Sequence, residues 1–425
     1  MYQIVENISD AYPLYKQAVY NFLSSMEPYL DENTLKMLIQ PEQIHVFKVP
    51  WRDRHGQIQV NTGYRVQHSQ SLGPYKGGLR FDPSVNLDTM MYLAFEQTLK
   101  NALTNLPLGG AKGGSDFDPH DKTDAEIFHF TESFIKQSHH LFGPDKDVPA
   151  GDLGVGKKEI GYMLSHYRNY HRDFTGVFTG KPIELGGVLG RQEATGYGLV
   201  YMVEILLNEL ESDLQDKTVI VSGCGNVGIH AAEKAYQKGA KVVGISDRDG
   251  YVYDETGLDI PYIKKHSYEN GKTLQEVMPD RFEPGSVFEK SAEIVLPCAT
   301  QNEMTEEHLR MLVNTGTYIV AEGANGPLQQ GAHQALRELD VYYLPGKAAN
   351  AGGVAVSAIE MQQNASKAVY TFEEVDARLQ EIMQTIFTNL KETSLELDDP
   401  FNFFKAGNHI ALMRLKSALK LQGLL

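Results

Sequence analysis

The chain has 425 residues and a formal net charge of -16, and 42% of its residues are hydrophobic, which is ordinary globular composition. This length exceeds the range over which one hydrophobic core keeps growing, so we expect two domains with a cleft between them. The acidic charge argues against nucleic acid and anionic membranes as partners.

The first 190 residues predict helices followed by a sheet. Residues 1–40 have helical periodicity. The alternating runs at 44–49 and 57–69 predict paired strands joined by the turn DRHG, and residues 87–104 predict an amphipathic helix. Gly-rich loops and shorter elements continue to about residue 182. The apolar face of the first helix consists of Leu14, Ala18, Val19, Phe22 and Leu23.

After residue 186 the pattern changes to alternating strands and helices. A helix containing ATGYGLVYMVEIL ends at an acidic linker, and KTVIVSG, NVGIHAAEKAYQKG and AKVVGISD then form a βαβ unit. Because EIVLPC, TYIVAEG and VYYLPG continue the alternation, we predict a doubly wound parallel sheet. From Gly352 onward the chain predicts C-terminal helices, so the fold class is α/β.

The cysteines, the histidines and the hydropathy of the chain indicate its compartment, and they bear on metal binding and membrane insertion. Cys224 and Cys298 lack the spacing of a disulfide framework or zinc site, which fits a reducing compartment. The histidines match no metal-binding motif, so we predict no metal site. Because the sequence shows no secretory leader and no run of about 18 apolar residues, we expect a cytoplasmic protein without a membrane span.

The segment GCGNVG follows the first strand of the βαβ unit and opens its helix. It places Gly223, Gly225 and Gly228 in G-x-G-x-x-G spacing, with Asn226 and Val227 between the last two. The glycines suit a tight turn, close approach of a pyrophosphate and close helix packing, and the helix N-terminus offers N–H groups to the phosphates. A generic glycine-rich turn is the alternative, but the strand, helix and second strand in register favour a dinucleotide site.

The end of the second strand bears on the choice of dinucleotide. Asp247 would accept hydrogen bonds from an adenosine ribose. Arg248 could instead hold a 2'-phosphate, or it could be an exposed turn residue. Lys264, Lys265 and His120 are further cationic candidates. These residues leave both NADP and NAD open.

Three lysines between residues 74 and 119 lie among glycines and apolar residues. They are Lys76, Lys100 and Lys112, in part within KGGLR and GGAKGG. Surface lysine is the usual alternative, but these glycines would let the backbone approach a ligand while each lysine projects an ammonium group. Three cations close to a cleft suit a substrate with two carboxylates.

These segments, with DVPAGDLGVG, RQEATGYG and NAGGVAVSAIEM, resemble the glutamate dehydrogenases of the Glu/Leu/Phe/Val dehydrogenase superfamily over nearly the whole chain. The similarity is greatest to their small hexameric class. It implies a homohexamer that interconverts L-glutamate with 2-oxoglutarate and ammonium, using NADP, or NAD as the alternative. It also implies a substrate-binding and oligomerisation domain with a mixed sheet at 1–190, a Rossmann-type dinucleotide domain at 191–365, and C-terminal helices at 366–425 that pack back on the first domain.

The resemblance implies roles for individual residues. Lys112 would be the catalytic lysine, with Asp152 as its proton-transfer partner, and burial among cations should lower the pKa of Lys112. A structural ion pair is the alternative for these two residues. The substrate-binding residues would be Lys76, Gln97, Lys100, Gly151 and Ser357. The cofactor-binding residues would be Thr195, Gly223, Gly225, Asn226, Val227, Gly228, Asp247, Arg248, Asn302 and Asn325.

Lys76 and Ser357 would hold the side-chain carboxylate, which favours glutamate because relatives acting on leucine, phenylalanine or valine have apolar residues there. Taken alone, Ser357 could bond its own helix backbone instead. The segment ISDRDG resembles NADP-dependent members, although His120 stands where some of those have lysine. Two alternatives to glutamate dehydrogenation are an amino-acid dehydrogenase of altered specificity and a catalytically silent hexamer that senses glutamate or binds a partner protein.

Overall fold

The computed structural model describes residues 1–336 and 338–425, which form two compact units. Unit 1 comprises Met1–Leu189, Val356–Val375 and Asn408–Leu425, and unit 2 comprises Gly190–Ala355 and Asp376–Gly407. The first division lies beside the predicted boundary at residue 190. The C-terminal helices are not assigned to one unit, because residues 376–407 belong to unit 2, whereas residues 366–375 and 408–425 belong to unit 1. The functional roles predicted for the domains stay predictions.

The sheet of unit 1 is mixed, as predicted. Its strands are β1 (Gln43–Arg52), β2 (Ile58–Ser69), β3 (Tyr75–Phe81), β4 (Gly110–Ser115) and β5 (Asp147–Gly151). Their order is β1-β2-β4-β3-β5, with antiparallel pairing from β1 to β4 and parallel pairing of β3 with β4 and β5. The predicted hairpin therefore forms. Strand β3 lies between β4, which contains Lys112, and β5, which ends next to Asp152.

Helices bury apolar faces against this sheet in two cores. The helices are α1 (Tyr2–Glu6), α2 (Pro13–Met26), α3 (Glu32–Ile39), α4 (Leu87–Leu103), α5 (Asp124–Ser138) and α6 (Lys157–Arg168). One core joins α2 to α4, and the other joins β3 to α5 and α6. Leu14 does not belong to the predicted apolar face, since it is 49% exposed in the first turn of α2, where its N–H bonds Asp88.

Unit 2 contains the predicted doubly wound sheet with an antiparallel edge. Its strands are β6 (Thr218–Ser222), β7 (Lys241–Ser246), β8 (Tyr251–Tyr253), β9 (Phe282–Glu283), β10 (Ile294–Pro297), β11 (Ile319–Ala321) and β12 (Tyr342–Leu344). The order is β12-β11-β10-β6-β7-β8-β9, parallel from β12 to β7 and antiparallel beyond. The short turn between β7 and β8 explains this edge, because a parallel crossover needs a dozen or more residues.

The helices of unit 2 and of the C-terminal part follow in chain order. They are α7 (Ala194–Glu209), α8 (Asn226–Gln237), α9 (Ile260–Ile263), α10 (Leu274–Val277), α11 (Glu306–Asn314), α12 (Gln330–Ala335), α13 (Gly346–Ala349), α14 (Gly352–Ser366), α15 (Phe372–Glu396) and α16 (Phe403–Leu421). Within unit 2, α15 is tied to α7 by a 2.6 Å hydrogen bond from Tyr201 to Asp376 and by the Lys391–Glu209 ion pair. Within residues 1–336 and 338–425, no helix is long and apolar enough to cross a bilayer.

Candidate active site

An ion pair joins the buried Lys112 on β4 to the half-buried Asp152, which directly follows β5. The Lys112 Nζ lies 2.8 Å from Asp152 Oδ2, and Lys112 is only 6% exposed. The intervening strand β3 has glycine at the crossing point. A Cβ atom on Gly78 would lie 2.9 Å from Asp152 Cβ and 3.4 Å from Lys112 Nζ. The glycine therefore leaves the space in which lysine and aspartate meet.

The environment perturbs both partners of this pair. Burial lowers the pKa of Lys112, Asp152 opposes that effect, and Arg80 and Arg65 add to it, so the pKa of the amine is lowered overall. Burial alone would raise the pKa of Asp152, but Lys112 and Arg80 outweigh burial and lower it to about 2. The arrangement thus favours a carboxylate beside a lysine that gives up its proton more readily than usual.

Lys76 lies on β3 and points to the same face as Gly78. It is 2% exposed, and its Nζ donates to Thr179 Oγ1 at 2.8 Å. Ser357 is equally buried on α14. One turn later on this helix, the Glu360 carboxylate lies 2.6 Å from Lys181 Nζ and accepts the Gly180 N–H at 2.8 Å. Glu360 therefore fixes the loop that carries Thr179.

The remaining predicted substrate residues occupy α4 and the end of β5. Gln97 and Lys100 lie one turn apart on α4 and are half-buried, and the Gln97 amide donates to Asn101 at 2.7 Å. Gly151 is the last residue of β5, where a Cβ would collide with the Val155 carbonyl oxygen. Gly151 and Asp152 are thus adjacent, which brings the predicted main-chain contact next to the ion pair.

The glycine loop has the geometry of a phosphate-binding turn. Gly223 directly follows β6 with φ +82°, a conformation that favours glycine. A Cβ on Gly228 would overlap the Gly223 carbonyl, whereas a Cβ on Gly225 would meet nothing within 4 Å. Gly223 and Gly228 therefore serve the turn and helix packing, and Gly225 leaves open space before α8. These residues fit a dinucleotide pyrophosphate.

Three further cofactor candidates lie in the first turns of α7 and α8. Asn226 is the first residue of α8, donates to the Gln192 carbonyl at 2.9 Å and accepts from Tyr268 at 2.8 Å. Val227 follows it and is half-buried. Thr195 is the second residue of α7, and a Cβ on Gly353 would lie 2.7 Å from its hydroxyl oxygen. Asn226 thus already has two protein partners.

Asp247 follows β7 as predicted, but its carboxylate organises the protein backbone. Oδ1 accepts from the N–H groups of Asp249 at 2.9 Å and Gly250 at 3.2 Å, while Oδ2 accepts from Leu274 N–H at 2.7 Å. The Arg248 side chain is 86% exposed. The sequence pattern identified the position of Asp247 but gave no sign of these three bonds.

The other candidate cations differ in their surroundings. Lys264 donates to both Glu233 oxygens at 2.8 Å, so it is engaged in an ion pair. His120 lies in unit 1, and its Nδ1 is 2.8 Å from Asp118. Lys265 is exposed on the segment after α9. Of these residues, Arg248 and Lys265 present the more exposed cations in unit 2.

Asn302 and Asn325 follow the ends of β10 and β11, where the sequence placed them. Asn302 has φ +58°, and its N–H bonds the Gly326 carbonyl at 3.0 Å. The Asn325 side chain accepts from Asn350 Nδ2 at 3.1 Å. The carboxyl ends of parallel strands are where α/β sheets bind ligands, so both residues occupy suitable positions.

Sequence reasoning missed several participants. Arg80 was within the quoted KGGLR segment, and its two-residue spacing from Gly78 on a strand could have identified it. Thr179, Lys181 and Glu360 carried no local signal, because their contacts join distant parts of the chain. Among the described residues, no group of three His, Cys, Asp or Glu side chains could hold a metal ion.

A Rossmann-type unit with a fitting glycine turn defines a dinucleotide-binding α/β protein. Two family models match the chain. Residues 41–169 match the model described as "Glu/Leu/Phe/Val dehydrogenase, dimerisation domain". Residues 186–423 match the model described as "Glutamate/Leucine/Phenylalanine/Valine dehydrogenase". The chain belongs to this dehydrogenase family.

Individual relatives cover nearly the whole chain. An NAD(P)-specific glutamate dehydrogenase of Xylanibacter ruminicola is 43% identical over 99% of both chains. An NADP-specific glutamate dehydrogenase of Psychrobacter sp. (strain TAD1) is 44% identical, covering 97% of this chain and 96% of the relative. The crystal structure of Plasmodium falciparum glutamate dehydrogenase has a TM-score of 0.97 at 37% identity, covering 100% of this chain and 94% of that one.

Proposed function

We propose that the protein catalyses the reversible oxidative deamination of L-glutamate to 2-oxoglutarate and ammonium. The observation that carries the proposal is the pairing of the buried Lys112 with Asp152, beside a second buried lysine, Lys76. Lys76 lies two residues from Gly78 along β3, about 7 Å at the rise of a strand. This spacing suits a short dicarboxylate that has its reacting carbon near Lys112 and its distal carboxylate near Lys76.

The chemistry follows from the two residues of the pair. A nicotinamide dinucleotide, when bound, accepts the hydride from the substrate. Lys112, as a neutral amine, takes a proton from the water that adds to the resulting 2-imino carbon, and that water supplies the oxygen of 2-oxoglutarate. Asp152 carries protons to and from the nitrogen, which leaves as ammonia. The lowered pKa of Lys112 supports this assignment, because a general base must be unprotonated near the working pH.

The residues around this pair select the substrate by binding its two carboxylates. Lys76 and Ser357 hold the side-chain carboxylate, and Lys100, Gln97 and Gly151 hold the α-carboxylate. Burial of Lys76 supports the first assignment, since an ammonium group in a buried site attracts a carboxylate more strongly than one in water. The Lys76–Thr179 hydrogen bond places a hydroxyl at the same point.

We further propose NADP as the preferred cofactor, with NAD as the alternative. Gly223, Gly225 and Gly228 would hold the pyrophosphate at the start of α8. The exposed Arg248 guanidinium supports recognition of a 2'-phosphate, and so does the NADP specificity in the name of the Psychrobacter relative. The other proposed cofactor contacts are Thr195, Asn226, Val227, Asp247, Asn302 and Asn325.

A homohexamer in the cytoplasm completes the proposal. An apolar face of the β1–β2 hairpin supports assembly, since it exposes between 43% and 65% of each of the side chains Ile44, Val46, Ile58 and Val60. The matched dimerisation-domain family supports the same conclusion. Free thiols at Cys224 and Cys298 support a reducing compartment.

The test is an assay of the purified protein with glutamate, leucine, phenylalanine and valine at matched NADP and NAD concentrations. We expect glutamate turnover with NADP, and Lys112→Ala should lose it by several orders of magnitude while still binding dinucleotide. The matched control is Lys136→Ala, which removes an exposed lysine from α5. A preference for an apolar amino acid, or near wild-type turnover by Lys112→Ala, would contradict the proposal.

A further inference from the structure

Arg80 shares one carboxylate oxygen with Lys112. Its Nε lies 2.9 Å from Asp152 Oδ2, and Lys112 Nζ lies 2.8 Å from the same atom. This geometry bounds the separation of the two nitrogens at about 6 Å, a range over which like charges interact strongly in a partly buried site. Arg80 extends from β3 on the face that carries Gly78, and its side chain is 21% exposed.

The charged groups around Lys112 come from every neighbouring strand. Arg65 on β2 is fully buried, but it is paired with Asp147 on β5, which compensates its charge. Arg80 and Lys112 have Asp152 in common. The cluster of Arg80, Asp152 and Lys112 therefore has a formal charge of plus one when Lys112 is protonated, and it is neutral when Lys112 is an uncharged amine.

We propose that Arg80 is a positioning residue. Its permanent positive charge pairs with the Asp152 carboxylate, and Lys112 is thereby kept in the neutral form required of a base. The inference rests on the proposed function, because it explains how that reaction obtains its base. Arginine suits the task since it stays protonated at any working pH, so the cluster can become neutral only by losing the proton of Lys112. The effect of Arg80 on Lys112 adds to that of burial, and both lower the pKa of the amine.

Two substitutions separate charge from geometry. Arg80→Gln removes the charge but retains an amide that can donate to Asp152, whereas Arg80→Lys retains the charge. We expect the acid limb of the kcat/KM profile for glutamate oxidation to move up by about one pH unit in Arg80→Gln. In Arg80→Lys it should stay close to that of the unmodified protein. Arg54→Gln is the matched control, because Arg54 forms a partly exposed ion pair with Glu126 elsewhere in unit 1.

A second measurement does not depend on turnover. The rate at which acetic anhydride acetylates Lys112, followed by peptide mass spectrometry across pH, reports the neutral fraction of the amine. At neutral pH this rate should fall about tenfold in Arg80→Gln, which is one pH unit in proton affinity. It should be unchanged in Arg54→Gln.

The outcomes distinguish this inference from the proposed function. If the unmodified protein does not oxidise glutamate, the proposed function fails, and the acetylation rates still decide the role of Arg80. If Arg80→Gln loses activity while both titrations stay in place, Arg80 holds geometry alone and the inference is overturned. Equal shifts in Arg80→Lys and Arg80→Gln would overturn it too, because charge would then not be the cause.

Discussion

Glu322 makes the stability of the protein depend on pH in a direction opposite to most carboxylates. It follows β11 directly and is 4% exposed. Its Oε2 accepts the Gly346 N–H at 2.7 Å, and this bond and the Tyr343 side chain only partly offset the burial of the carboxylate. Burial raises the pKa of Glu322 from 4.5 to about 7. The folded protein therefore retains a proton that the unfolded chain has already lost.

The sign and size of the effect follow from proton linkage. Below pH 4.5 both states are protonated, and the stability contributed by neutral Glu322 is fully present. As the pH rises towards 7, only the unfolded state releases its proton, so the free energy of unfolding falls by about 1.4 kcal/mol per pH unit. Between pH 5 and pH 7 the loss amounts to about 2.2 kcal/mol. Glu322→Gln does not titrate and should escape this loss.

Urea denaturation followed by circular dichroism at a series of pH values measures this difference. The free energy of unfolding of Glu322→Gln, relative to that of the unmodified protein, should increase by about 2.2 kcal/mol from pH 5 to pH 7. Glu255→Gln, which changes an exposed glutamate of the same unit, should run parallel to the unmodified protein. A Glu322→Gln curve that is also parallel would refute the reasoning, because the carboxyl would then titrate alike in both states.

Three other variants test the site and its support. Lys76→Leu with Ser357→Val should lower kcat/KM for glutamate about a thousandfold and shift preference towards norvaline, because a buried carboxylate without its partners costs several kcal/mol; an unchanged preference ratio would contradict this. Lys181→Met should cost about 3 to 5 kcal/mol in urea denaturation by leaving buried Glu360 without its cation, and a cost below about 1 kcal/mol would be inconsistent with that role. Arg248→Ala should weaken NADP binding about tenfold in titration calorimetry and spare NAD, whereas equal losses would reject Arg248 as the phosphate contact.

The parts of the structure that sequence predicted well depend on short-range patterns. The β1–β2 hairpin follows from alternation on either side of the predicted turn DRHG, and β6, α8 and β7 follow from periodicity punctuated by glycine. Gly239, the last residue of NVGIHAAEKAYQKG, lies just after α8 with φ +88°, a conformation that favours glycine at a helix end. These features could be predicted because each is decided within about ten residues.

Contacts between distant segments gave no such signal. Lys76 and Thr179 are 103 residues apart, and Gly180 and Glu360 are 180 apart. Nothing in the local sequence marks Thr179 as a partner of a buried lysine. The bonds of Asp247 were missed for a related reason, since Leu274, which donates to it, lies 27 residues further along the chain. The sequence therefore singled out the candidate charged residues but not the contacts that hold them in place.

The two glycines of KGGLR have a structural role that the sequence did not indicate. From the sequence, their purpose was to let the backbone approach a ligand. In the structure, a Cβ on Gly77 would overlap the Ala111 carbonyl oxygen, so this glycine is required by the packing of β3 against its neighbour. Gly78 leaves the space in which Lys112 and Asp152 approach each other. A side chain at either position would separate the strands that bring Lys112 and Asp152 together, so the glycines allow this ion pair to form before any ligand arrives.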